Sequence, residues 1–589
     1  MRTPCLALLL AASADALRLA PGALRRSHQA PAVQPLMNAI DEDKVDVPDA
    51  FLKSRTPLLK NVGEYEEMYA KSISDPSAFW SEIANQFHWE TPFETVVESN
   101  FASSKGTVAT EWFKGGKTNI AYNALDRHVA AGAGDQIALY HEANDEDDDI
   151  KSEWTYSEVL AEVKKLANVL KSKGVKSGDR VSIFMPMVPQ LPIAMLACAR
   201  IGAVHSVVFG GFSAEALASR LTDAKSTVVL TANGVMRGAK PIKLFDIVAD
   251  AAKLANVEST IVLQRLSDET LPIDMTEGRD VWWHDAVGAA DAECDVEWVD
   301  AEHPLFVLYT SGSTGKPKGV LHTTGGYMVY AATTSKYIFD LQKDDVFFCT
   351  ADCGWITGHS YVTYGPMLNK ATQVVFEGVP SHPDAGRMWR VVDKYKVSQL
   401  YTAPTAIRAL MRSGEDPVKA TSRESLKLLG SVGEPINPEA WRWYHSVVGE
   451  GRCPIVDTWW QTETGGIMIT PLPTEGFTQK PGCASRPFFG VQPVVITPEG
   501  KEIEGACEGL LAIKGPWPST IRGVVGDYDR YVSTYFPIDG FYLTGDGCRR
   551  DEDGYIWITG RVDDVINSRC VHACVCVCLM RLAAAAADL

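Results

Sequence analysis

Short β-branched runs alternate with amphipathic stretches over most of the chain. RVSIFMP (180–186), HSVVFG (205–210), STVVLTA (226–232) and STIVLQR (259–265) are apolar on successive positions. Strands buried on both faces of a parallel sheet have this pattern. YSEVLAEVKKLANVLKSKG (156–174) instead repeats its apolar residues every three or four positions and ends on glycine, which predicts a helix. Such alternation implies an α/β fold with parallel sheets. Between Gly482 and Asp551 the helical signal fades. VQPVVITPEGKEIEG (491–505) and GLLAIKG (509–515) alternate with turn residues and predict a small β-rich subdomain. No internal repeat is visible.

The two ends differ from this pattern. Arg2 precedes an apolar run, Cys5–Ala12, and an Ala-x-Ala step at Ala14 and Ala16; Arg18, Arg25, Arg26 and Ser27 follow, with one acidic residue, Asp15, before Asp41. A short apolar core followed by an Arg-rich, acid-poor segment predicts an organelle address, plastid or mitochondrial; a disordered extension of a cytoplasmic protein is the alternative. After Asn567 the chain reads SRCVHACVCVCLMRLAAAAADL. His572, Cys574, Cys576 and Cys578 lack the paired C-x2-4-C spacing of a zinc site, so a divergent tail is the better reading. The expected organisation is a targeting or disordered extension at 1–45, a large domain at 46–562 and a hinge stub with tail at 563–589.

Composition narrows the function. The 589 residues suit about four domain-sized units, and 46% hydrophobic content supports a large core. A net charge of −18 argues against nucleic acid or an anionic membrane as partner, and no apolar run reaches the roughly 18 residues that span a bilayer. Small-molecule substrates are expected; oligomeric state stays open. The first nine of 13 cysteines are scattered, as reduced core residues are.

The sharpest motif is YTSGSTGKPKGV (309–320), which follows the apolar run LFVL. Gly312, Gly315 and Gly319 allow close backbone approach to an anion. Thr310, Ser311, Ser313 and Thr314 supply hydroxyl donors, and Lys316 and Lys318 supply charge. These are the requirements of a polyphosphate site. The string is not G-x-x-x-x-G-K-[ST], because counting from Gly312 Pro317 stands where the second glycine would be needed.

Together with NIAYNALDRHV (119–129), MLACARIGAVHSVVFGGFS (195–213), GWITGHSYVTYGP (354–366), GSVGEPINPEAW (430–441), DTWWQTETGG (457–466) and TGDGCRRDEDGYIWITGRVDD (544–564), this motif resembles the AMP-forming acyl-activating superfamily, and within it the acetyl-coenzyme A synthetases. The resemblance covers about residues 60–567. It implies a large α/β acyl-adenylate-forming domain with parallel sheets and a β-rich subdomain. It also implies conversion of acetate, ATP and CoA to acetyl-CoA, AMP and diphosphate through acetyl-AMP, with Mg2+.

By the same resemblance, Thr310 to Lys318 hold the ATP β/γ phosphates, and Gly433, Glu434 and Pro435 belong to the adenine site. Asp457, Thr458, Trp459, Trp460, Gln461 and Thr462 form the nucleotide-binding strand and turn. Glu463 is the magnesium ligand, Asp546 takes the ribose hydroxyls, and Arg561 contacts ribose and phosphate. Trp355, Ile356, Thr357, Val432 and Trp460 form the acetate pocket, and Trp460 would close its floor. Arg237, Lys240, Thr357 and Ser381 hold CoA, with Lys240 and Ser381 as substitutions. Asp563 is the hinge.

The resemblance fails after 567. Arg569 and His572 replace a family serine and arginine, and no lysine follows Lys514. The family's C-terminal catalytic lysine and C-terminal domain are therefore expected to be absent and turnover impaired. A catalytically dead nucleotide-binding remnant and a propionate–CoA ligase are the alternatives.

Overall fold

A computed structural model describes residues 43–148, 150–310 and 317–562. The 1–42 segment, the loop residues Ser311–Lys316 and the tail from Asp563 lie outside the described residues.

The runs read as strands form Arg180–Phe184, Val204–Val207, Val228–Ala232 and Ser259–Leu263. They lie side by side and parallel in an eight-stranded sheet. Their side chains are almost all buried on both faces, which explains why they carry no polar alternation. The predicted helix is Tyr156–Ser172. Thr155 Oγ1 accepts from the Glu158 N–H at 3.2 Å and Glu158 Oε2 accepts from the Thr155 N–H at 2.8 Å, a reciprocal cap that satisfies two otherwise unpaired donors. Its apolar stripe, from Tyr156 through Val163 to Leu170, is buried.

A second, seven-stranded sheet runs in the order Ile455–Asp457, Leu428–Ser431, Gln399–Thr402, Val346–Cys349, Thr372–Phe376, Ile137–Glu142 and Glu153–Thr155. All neighbours are parallel except the last pair. Open parallel sheets bind ligands beyond the carboxyl ends of their strands. Here Ser431 and Asp457 end adjacent strands, so the segments that follow each emerge on the same rim.

A four-stranded antiparallel sheet has three strands, Pro493–Ile496, Cys507–Lys514 and Phe541–Arg550, in the region read as β-rich, and its fourth, Ile556–Arg561, beyond the Asp551 boundary expected for it. One helix, Tyr528–Tyr535, interrupts that region. Its residues YDRYVSTY are too short a run to stand out from the surrounding turns, but Asp527 caps it by accepting from the Arg530 N–H at 3.0 Å. Among the described residues, no helix is long and apolar enough to cross a membrane. Eight described cysteines are unbonded, and all but Cys507 are buried.

Candidate functional site

Three groups of residues from two sheets, joined by Gly482 and Ala484, surround a cavity of about 300 Å³, within the size range of small-molecule sites. The rim of the seven-stranded sheet supplies two of them. Gly433, Glu434 and Pro435 follow the strand ending at Ser431, and Asp457 through Gln461 follow its neighbour. The antiparallel sheet supplies the third, with Asp546 and Arg561 as cross-strand partners. Gly433 has φ +94° and a Cβ there would meet only open space, so glycine supplies a left-handed backbone and a bare face toward the cavity. Glu434 is held from outside by Arg408 at 2.8 Å and by the Thr405 hydroxyl.

Asp546 is the most constrained polar group in the cavity. Its Oδ2 accepts from Trp459 Nε1 at 3.1 Å and from Gln461 Nε2 at 2.8 Å. Gln461 is oriented in turn by the Tyr542 hydroxyl, which donates to its Oε1 at 2.9 Å, and by its own second donation to the Thr544 carbonyl at 2.7 Å. Arg561 Nη1 stands 3.5 Å from Asp546 Oδ1. Burial raises the Asp546 carboxyl above the usual range, and Arg561 opposes that shift. Asp457 is fully enclosed, and burial pushes it up to about 8. It enters the site uncharged below that value.

The phosphate and metal assignments meet beside this cavity. The strands Pro304–Thr310 and Lys318–Thr323 pair antiparallel, with Thr310 opposite Lys318. In sequence, the predicted phosphate loop falls between these two strands. Ser311, Gly312, Ser313, Thr314, Gly315 and Lys316 lie outside the described residues. The buried Thr310 hydroxyl at the loop's start has no hydrogen-bond partner among the described residues. Lys318 Nζ is 3.6 Å from Glu463 Oε1, and both side chains are largely buried. Glu463 heads a 3-10 turn, Thr462–Thr464. That turn is clamped from below: Trp517 Nε1 and the Ser519 hydroxyl donate to the Thr464 carbonyl, and the Ile521 N–H donates to the Glu463 carbonyl. The Thr462 carbonyl is engaged by buried His322 at 2.8 Å.

No group of three or more His, Cys, Asp or Glu suited to a metal occurs among the described residues. Magnesium needs no such cage when phosphates supply ligands: one or two carboxylates suffice. Glu463, next to the orphaned Thr310 hydroxyl's hairpin, fits that requirement.

Trp460 lines the cavity and also packs into the core. Its ring stands edge-on to Tyr361 at 5.1 Å, and its Nε1 donates to the Tyr401 hydroxyl at 3.3 Å. Tyr401 is joined to the Thr458 hydroxyl at 2.7 Å, which donates to the Ser431 carbonyl. Val432 and Ile356 belong to the same apolar core on which Trp460 packs. Thr357 is buried in the same turn as Ile356. Trp355 is set apart from them: it is 53% exposed and lies 5.9 Å from Phe209.

Phe209 lines a different, smaller cavity together with Arg237 and Asp352. Arg237 and Lys240 are opposite each other across a tight hairpin. Gly238 at its tip exchanges two hydrogen bonds with the Asn144 side chain and faces the ring of His382, the residue after Ser381. The hairpin that carries Arg237 and Lys240 thus lies against the segment of His382, next in sequence to Ser381, and Trp355 packs on Phe209 of the same cavity. Asp563 lies outside the described residues.

Comparison with known proteins identifies the family. Residues 126–524 match the family described as AMP-binding enzyme, and residues 65–124 match the acetyl-coenzyme A synthetase N-terminus.

The chain belongs to the AMP-binding enzyme family.

Among its relatives, the chloroplastic/glyoxysomal acetyl-coenzyme A synthetase of Arabidopsis thaliana is 58% identical over 518 residues, which are 87% of this chain and 69% of that protein. The acetyl-coenzyme A synthetase of Magnetococcus marinus is 59% identical over 513 residues, 86% of this chain and 78% of that protein. That of Rhizobium rhizogenes is 55% identical over 516 residues, again 86% and 78%.

The family's fold matches the α/β expectation. Four residues of the site carried no signal in the sequence: Tyr361, Tyr401, Tyr535 and Tyr542. Each reads locally as an ordinary aromatic core position. Their roles depend on contacts across the fold, such as Tyr535 with Glu463, 72 positions away.

Proposed function

We propose that the chain is an AMP-forming acetate–CoA ligase, converting acetate, ATP and CoA to acetyl-CoA, AMP and diphosphate through acetyl-AMP. The observation that carries this reading is the convergence of the Gly433–Pro435 turn, the Asp457–Gln461 segment and the Asp546–Arg561 pair on one cavity. Adenine enters against Trp459 and the Gly433–Pro435 turn. Asp546, held by Trp459 and Gln461 on one oxygen, offers the other to the ribose hydroxyls. Thr310, the loop to Lys316, and Lys318 receive the phosphates. Glu463 holds Mg2+, which neutralises phosphate charge when bound.

The acetate carboxylate then lies between this end and the Trp460–Val432–Ile356 wall. Trp460 cannot swing aside easily, because Tyr361 and Tyr401 hold its ring and its N–H. That favours a two-carbon acid over propionate, as do the names of the relatives. An extra methylene forced into such a pocket costs about 1–3 kcal/mol. CoA is placed on the Arg237–Lys240 hairpin and Ser381, near Thr357. We also propose that residues 1–45 are an organelle address, plastid or mitochondrial. The pattern of that segment and the chloroplastic/glyoxysomal relative support it.

The test is acetate-dependent exchange of labelled diphosphate into ATP by the purified chain, followed by acetyl-CoA formation on adding CoA. Exchange that requires acetate and Mg2+ is the expected result. A folded chain that binds neither ATP nor AMP at millimolar concentration would sink the reading. Residues 1–45 fused to a fluorescent protein, followed by microscopy, test the address; a diffuse cytoplasmic signal would overturn it.

A further inference from the structure

Lys318 and Glu463 are oppositely charged, largely buried and 3.6 Å apart, yet they are not joined by a direct short hydrogen bond. Tyr535 stands between them. Lys318 Nζ donates to the Tyr535 hydroxyl at 2.8 Å, and that hydroxyl donates to Glu463 Oε1 at 2.5 Å. An ammonium has donors only, so the hydroxyl accepts from lysine and its single proton goes to the carboxylate. The direction of both bonds is thereby determined. The phenol itself is 4% exposed. Burial and the nearby Glu463 charge both push its ionisation well above the ordinary tyrosine value, so it keeps the proton it donates.

The ring is fixed independently of the hydroxyl. It stacks on Tyr542 with centroids 5.7 Å apart and planes within 6°. Tyr542 serves the other end of the site, donating to Gln461, which holds Asp546. Two parallel phenols from the helix Tyr528–Tyr535 and the strand Phe541–Arg550 thus reach two halves of one nucleotide site.

We propose that Tyr535 is a positioning residue for the metal and phosphate end of the nucleotide, holding Glu463 and Lys318 apart so that the carboxylate stays available to a divalent cation and the ammonium to phosphate. The inference rests on the reading of Glu463 as the carboxylate that carries Mg2+. Without the hydroxyl, the two charges can close to a direct pair at the usual 2.7–2.9 Å or so. A carboxylate bound directly to lysine must break that pair before it can take a cation. The phenol also shares its proton with Oε1 alone, which orients the carboxylate plane while leaving Oε2 without a bond to Tyr535.

The experiment is calorimetric titration of the purified full chain with ATP plus chelator, ATP plus Mg2+, and AMP. In the parent, Mg2+ should tighten ATP binding. In Tyr535→Phe, which keeps the stacked ring, that tightening should shrink by about tenfold, while AMP affinity stays within about twofold. Glu463→Gln should lose the same Mg2+ advantage. Tyr542→Phe should show the opposite pattern, with weaker AMP and an unchanged Mg2+ advantage. A merely structural role for Tyr535 would weaken AMP and MgATP by the same factor, and that result would overturn the proposal. So would a Tyr535→Phe variant with the full Mg2+ advantage. If Tyr535→Phe does not fold, 3-fluorotyrosine at position 535, with a more acidic hydroxyl in the same place, carries the test: the Mg2+ advantage must shift and AMP affinity must not. A parent that binds no nucleotide refutes the proposed function itself. A parent that binds ATP with no Mg2+ advantage refutes the cation role of Glu463, and this inference with it.

Discussion

Asp546 and Arg561 face each other across two antiparallel strands, with the guanidinium Nη1 3.5 Å from the carboxylate Oδ1. Gly545 makes the approach possible: its φ is +72°, and a Cβ there would stand 3.0 Å from Arg561 Nη2. The pair lines the cavity from the antiparallel sheet, and the segments opposite follow strands of a different sheet. Binding therefore depends on how those two sheets are held together.

Asp546→Ala removes the acceptor that both Trp459 and Gln461 use. Leaving a buried donor without a partner costs about 1–3 kcal/mol. The carboxylate offered to ribose is lost as well. AMP affinity should fall by about 10- to 100-fold, measured by calorimetry on a variant whose unfolding temperature is close to the parent's. Undiminished AMP binding would place the ribose elsewhere.

Trp460→Gly tests the proposed acyl wall. Removing the indole leaves Tyr361 and Tyr401 facing a void, so the chain should accept butyrate or longer acids and use acetate less well. One methylene is worth about 10–200-fold in discrimination, so the preference order should invert between two and four carbons. An unchanged chain-length profile would assign the limit to another residue.

Asp457 gives the site a pH dependence of predictable sign. Its folded carboxyl holds a proton up to about 8; in the unfolded chain it ionises near its ordinary value, about 4. Between these the folded state binds more protons, so stability falls as pH rises through this window and levels off above it. Asp457→Asn removes that contribution. Its unfolding temperature should decline less from about pH 6 to about pH 9 than the parent's. Parallel declines would mean that Asp457 is already ionised in the fold.

Lys480 links the antiparallel sheet to the segment that lines the cavity. Its ammonium pairs with Asp551 and Asp553 and lies 4.2 Å from the Tyr555 ring centroid. Those partners sit in the turn joining the strands that carry Asp546 and Arg561. Lys480→Met leaves Asp551, a mostly covered carboxylate, without its cation. Chemical denaturation should show a loss of about 1–3 kcal/mol, with AMP affinity reduced in the same variant. Loss of stability with unaltered AMP affinity would confine Lys480 to a structural role.

The sequence alone determined the fold class and many of its elements, and its motifs carried the resemblance from which the site residues are proposed. Strands buried on both faces favour apolar, β-branched residues without polar alternation, so Arg180–Phe184 and its parallel neighbours were legible from composition over four or five positions. A backbone that approaches an anion or turns with φ > 0 requires glycine and small hydroxylated residues. Hence the 310–318 segment declared itself locally, whereas Gly433 was reached only through the family resemblance. Only the tertiary structure decided how these parts cooperate. Nothing near Tyr535 says that it bonds Lys318, 217 positions earlier. Nothing near Trp355 says that it lies against Phe209 and away from Trp460. Arg200 and His205, which look out of place in an apolar run, are engaged by Asp126 at 2.8 Å and, through Nε2, by the Tyr364 hydroxyl at 2.6 Å. Such pairings are set by which strands become neighbours, a property of the packed sheets as a whole. A tyrosine in a core and a tyrosine that orients a carboxylate have the same local pattern, and only the group at the end of the hydroxyl distinguishes them.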